Sequence, residues 1–81
     1  MDPADQMAAQ LGFVWAEELF QRLSQSELVD CPARWPGRMD HARGLARSIP
    51  SAPTDAGAQE RLAKIVNRSA EAFWDVLVSG R

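Results

Sequence analysis

Eighty-one residues with a formal net charge of −2 and a pI near 5.2 make one domain, 1–81, without the strongly basic balance of a general nucleic-acid binder. Cys31 is the only cysteine, which excludes a disulfide within the chain; with a single histidine it also cannot supply the roughly four ligands of a structural zinc site. A core of this size gives only modest net stability, so a partner surface is the staple left available.

The chain opens with an acidic, polar MDPADQ and no basic region followed by an apolar core, so no signal peptide is expected. No apolar run approaches the 18 or so residues that span a bilayer, and the expected location is the cytoplasm. The Ala- and Arg-rich, Lys-poor usage fits a GC-rich bacterial genome or its phages. Pro3 suits the first turn of a helix and Asp2 can cap it. The helix is expected to run over about 3–26. One arc holds Ala9, Gly12, Phe13, Trp15, Ala16, Leu19, Phe20 and Leu23, with Gln10, Glu17 and Gln21 opposite. Ala8, Gly12 and Ala16 lie four apart, a row of small residues that lets another helix backbone come close. Leu11 and Val14 fall outside the arc, and their burial would need a second contact surface.

From Leu28 to Gly37 the prolines Pro32 and Pro36 break the helix. The segment keeps Leu28, Val29 and Trp35 for packing, which predicts an ordered loop. A shorter helix is expected over about 38–48, with Met39, Ala42, Leu45, Ala46 and Ile49 facing the core. Pro50 and Pro53 end it. Thr54 or Asp55 then caps a final helix over about 55–79, which Gly80 is placed to terminate. In that helix Leu62, Ile65, Val66, Ser69, Phe73, Val76 and Leu77 share one side. Arg61, Lys64, Asn67, Arg68, Glu71 and Asp75 share the other. The expected fold class is all-α, with the two long helices antiparallel, the short one across them, and the bundle pairing into a dimer.

Motifs for catalysis fail on spacing. Cys31 begins CPARWPGR, similar to the phosphate loop of cysteine phosphatases. That loop needs an arginine after five residues, whereas position 37 is glycine and Arg38 comes one later. Two prolines also remove amide donors. His41 could act as a base toward Cys31, but nothing in the sequence orients it. There is no Glu-x-x-His pair for a di-metal bundle and no glycine-rich phosphate loop. The size, acidity and helix content match an acyl-carrier domain, but the Asp-Ser-Leu attachment context is missing. Trp35-Pro36-Gly37 resembles the Trp-x-Gly turn of the small helical-hairpin proteins exported by type VII systems. The likeness covers three residues; Pro50 and Pro53 interrupt what would be the second helix, and the Tyr-x-x-x-Asp/Glu export signal is absent. No function follows from it. The chain is expected to be non-enzymatic, with no catalytic residue, cofactor, metal or small-molecule substrate.

Two groups remain. Residues 1–30 carry six acids against Arg22, while Arg34, Arg38, Arg43 and Arg47 stand against Asp40 in residues 31–48. These arginines either pair with the acidic first helix, for instance with Glu17, Glu18 or Asp30, or face an acidic protein or phosphates. Trp15, Trp35 and Trp74 are the other group, and tryptophan at a stripe edge serves as an interface anchor or as a lid on a core. The reading is a small regulatory protein that binds another, unidentified protein and itself, as a homodimer. Leu11, Val14, Trp15, Trp74 and Leu77 are the expected interface, and Arg38, Arg43 and Arg47 the partner-facing charge. The alternative is a small DNA-binding regulator that uses the Arg34/Arg38/Arg43/Arg47 segment on phosphates.

Overall fold

The structure, a computed structural model, describes residues 2–22 and 37–79. These form α1 (Pro3–Arg22), α2 (Arg38–Arg47) and α3 (Ala56–Ser79), with no strand among the described residues. Residues 23–26 of the expected first helix, the expected loop with Leu28, Val29, Cys31, Arg34 and Trp35, and the terminating Gly80 lie outside them.

Each helix begins where local chemistry satisfies its free amides. Asp2 Oδ1 accepts from the Ala4 N–H at 3.0 Å, and Pro3 occupies a first-turn position that needs no donor. Asp55, rather than Thr54, caps α3 by accepting from the Ala58 N–H at 2.9 Å. α2 has no side-chain cap; the chain enters it through Gly37 in the left-handed region, φ 69°, where glycine carries no steric penalty. It stops at Ser48, whose N–H and Oγ–H both donate to the Leu45 carbonyl at 3.1 and 2.6 Å.

The two long helices run parallel, which corrects the antiparallel expectation. Asp5 meets Arg61, Gly12 meets Val66, Ser69 and Ala70, Phe13 meets Phe73, and Phe20 meets Trp74. Residue numbers climb together on both helices. α2 is the reversed element, since Arg43 reaches Glu60 while Arg38, earlier in α2, reaches Asn67 and Glu71 further along α3. At ten residues α2 spans roughly 15 Å, about half the length of α1, and runs back alongside α3. It therefore acts as the return limb of an up-down-up bundle and not as a strap across two antiparallel helices.

The core is small-residue rich. Ala8, Trp15, Ala16 and Leu19 of α1 pack with Ala42 and Ala46 of α2, Ile49 beyond it, and Leu62, Ala63, Val66, Ala70 and Trp74 of α3. The Ala8–Gly12–Ala16 row is buried as its spacing predicted, and Gly12 marks the tightest point. A Cβ built there would lie 2.4 Å from Ser69 Cβ, 2.7 Å from the Val66 oxygen and 2.9 Å from the Ala70 nitrogen. Two of those three atoms are backbone and cannot rotate away.

Gly12→Ala is accordingly expected to cost about 1–3 kcal/mol of overpacking, more than the roughly 1 kcal/mol that alanine gains in helix propensity. The check is the urea midpoint of the variant against the parent. An equal or higher midpoint would show that α1 and α3 can separate at no cost.

Candidate functional site

The arginines of α2 are spent on α3. Arg43 donates from Nε and Nη2 to the two Glu60 carboxylate oxygens at 3.0 and 3.1 Å, and from Nη1 to Asp40 at 2.9 Å. Arg38 donates from Nε to Asn67 Oδ1 at 3.1 Å and forms an ion pair with Glu71. The acids they find belong to α2 and α3, not to the acidic first helix, whose Glu17 and Glu18 stay exposed. α2 lies along the flank of α3 that carries Glu60, Asn67 and Glu71, which puts those acceptors within reach of its arginines. Arg47 is exposed beside a shallow cleft of about 250 Å³ shared with Arg43, Ala56, Gln59 and Glu60. Arg34 lies outside the described residues.

The bidentate pair shifts both members. The hydrogen bond with Glu60, then its charge, raises Arg43 above its ordinary value. Glu60 is held below the usual carboxylate range chiefly by the hydrogen bond from Arg43; desolvation works against this and the charges of Arg43 and Lys64 assist it.

Both expected tryptophan anchors turn inward. Trp15 is 1% exposed and Trp74 2% exposed, so neither can serve as a surface anchor while the bundle is intact. The reason is geometric. Gly12 sits at the centre of the α1–α3 contact, and a position at the edge of the α1 stripe faces the third helix instead of solvent. Trp15 there meets His41 of α2, ring centroids 5.1 Å apart. His41 is thus half-buried on α1. Trp15 Nε1 and His41 Nε2 are both buried without a hydrogen-bond partner among the described residues. Trp74 is edge-on to Phe20 at 6.2 Å. Leu11 and Leu77 are partly buried against the core, while Val14 is exposed.

A second apolar surface was not singled out by the sequence. On the side of the α1–α3 seam away from α2, Phe13 packs edge-on against Phe73 at 4.7 Å and stays 37% exposed. Val76 is 66% exposed, although its place in the α3 stripe suggested burial. Phe73, one turn before it, and Ile65, three turns before it on the same side, are partly buried. At about 100° per residue, Val76 and Ile65 lie on the outer shoulder of the stripe whose centre is Val66. The signal available was the width of that stripe, which exceeds what one neighbouring helix covers. Phe13 and Val14 leave the buried row of α1 on opposite sides, so the exposed apolar residues form two patches.

Among the described residues, no three His, Cys, Asp or Glu side chains are grouped to hold a metal ion. No helix there is long and apolar enough to cross a membrane. Comparison with family models, curated proteins and solved structures finds no match for this chain.

The pH dependence of the Arg43–Glu60 pair has a definite sign. A depressed folded-state pKa means that the pairing stabilises the fold above the ordinary carboxylate value of 4.5 and is lost as pH falls through the lower folded value. The stability difference between the parent and Glu60→Gln, measured by urea titration, should hold steady from pH 7 to about 5 and close below that. A difference that persists undiminished in strong acid would remove the ion pair as its source.

Proposed function

We propose that this is a non-enzymatic protein that works by binding protein, itself first of all, through the outer surface of its helical bundle. The observation that supports it is the pair of exposed apolar patches flanking α1. One holds Val14 next to Leu11; the other holds Phe13 and Val76, with Ile65 and Phe73 partly buried beside them. Exposed large apolar side chains that cluster are the usual mark of a protein-binding surface. In so small a chain, self-association is also the available route to added stability.

The nucleic-acid alternative is the weaker of the two. Two of its four guanidinium groups, Arg38 and Arg43, are engaged by Glu71, Asn67, Glu60 and Asp40. An arginine already paired must break that pairing before it can neutralise a phosphate. A cytoplasmic regulator acting on a larger protein assembly remains the setting we propose for such a module.

Native mass tests self-association. Sedimentation of the untagged chain at two concentrations is expected to give twice the 9.0 kDa chain mass. Leu11→Glu with Val14→Glu then sorts the patches. A folded monomer assigns the contact to the Val14 side, and an undisturbed dimer assigns it to the Phe13 side. A parent that stays monomeric at both concentrations would sink the self-association claim.

A further inference from the structure

The Phe13 side has features that select its occupant. Along α3, Ile65, Ser69, Ala72 and Val76 follow four-three-four spacing, the heptad seam of a helix that pairs with another helix. This row borders the buried one: Ser69 also packs on Gly12 of α1, Ile65 is partly buried, and Ala72 and Val76 are exposed. Its two middle residues are small and its two end residues are β-branched. Such a row fits a copy of itself in reverse: about a point midway between Ser69 and Ala72, Ile65 falls opposite Val76 and Ser69 opposite Ala72.

The outer rim selects the direction by charge. Arg61, Arg68 and Asp75 are spaced seven apart and so share one edge of α3. Arg68 and Asp75 are exposed, and neither has an ion-pair partner among the described residues. In the reversed register, Arg68 of one chain stands about two residues, or roughly 3 Å along the axis, from Asp75 of the other. A two-fold axis makes that pair twice. A parallel copy would bring each charge nearest its own counterpart.

α1 agrees with this arrangement. Gly12 is level with Ser69, so the same axis passes close to Phe13, whose exposed edge would meet the same residue of the second chain. Gln10 and Glu17, on the same side of α1, then fall opposite one another, and no acid faces an acid.

We infer that the Phe13–Ile65–Phe73–Val76 face is the seat of a second copy of this chain, docked with the two α3 helices antiparallel and Arg68 paired to Asp75 across the two-fold. The inference rests on the self-association proposed above and specifies its surface and direction.

Charge exchange within one chain tests it. Arg68→Glu leaves two acids facing each other and Asp75→Arg leaves two bases, so each variant should dimerise roughly tenfold more weakly by sedimentation equilibrium. Carried together, the two changes restore opposite signs, and affinity should return to within about threefold of the parent. High salt should shrink these differences. All of these side chains are exposed, and circular dichroism verifies that the helices persist. Val76→Glu should give a folded monomer. A double variant weaker than either single change, or a Val76→Glu chain that still dimerises, overturns this face and direction while self-association stands. A monomeric parent overturns both.

Discussion

Everything in this bundle is arranged around the approach of α1 to α3 at Gly12. With Val66 O and Ala70 N within 3 Å of where a Cβ would be, the contact is backbone against backbone and admits no side chain. Ala8 and Ala16 continue it by one turn each way, and Ala63 and Ala70 answer from α3. Large residues are consequently pushed to the margins of the contact. The aromatic pairs mark those margins: Phe13 with Phe73 on one side, Trp15 with His41 toward α2. Close helix approach gains dispersion contact that bulky seams cannot reach. It also empties the centre of the interface of bulk, and the grooves beside it must be filled instead.

Parallel packing of α1 and α3 follows from how the third helix enters. α2 runs opposite to α3, and its dipole offsets those of its neighbours, where two parallel helices alone would set like ends side by side. The bidentate Arg43–Glu60 contact and the Arg38 contacts to Asn67 and Glu71 fix its direction. Partly exposed ion pairs contribute little to net stability. Their consequence here is registry: reversing α2 would put its arginines at the wrong heights for the acids of α3. Ala42, Ala46 and Ile49 supply the burial, and the arginines set which way round it happens.

Much of this was legible in the residues. Asp2 before Pro3 and Asp55 ahead of an apolar period located two helix starts to within a residue, because capping is a local transaction between one carboxylate and the amides beside it. The small row of α1 announced a close contact for the same local reason. Direction was not legible. Periodicity says which face of a helix is apolar and is unchanged when the helix is inverted, so parallel and antiparallel packing of α1 and α3 read alike. The tryptophans misled because a stripe edge touches solvent in a two-helix pair, whereas in a three-helix bundle it is a joint. Val76 misled in the opposite way, since membership of the stripe says nothing about where the neighbours stop.

The polar residues of α3 show how packing rewrites the surface that composition suggests. Glu60, Asn67 and Glu71 lie on the edge against α2 and are occupied by its arginines. With Arg61 beside Asp5 of α1, that leaves Lys64, Arg68 and Asp75 to set the outward charge of the helix, basic over its middle and acidic near its end. The chain is acidic overall, yet two arginines of its most basic segment by sequence, Arg38 and Arg43, are paired with acids of α2 and α3. A helix whose outer edge is divided by sign, next to an apolar row of heptad spacing, distinguishes the two ways a like helix could lie against it. The apolar row alone would accept either direction; the charges favour one, and repulsion between like ends excludes the other more firmly than attraction selects it.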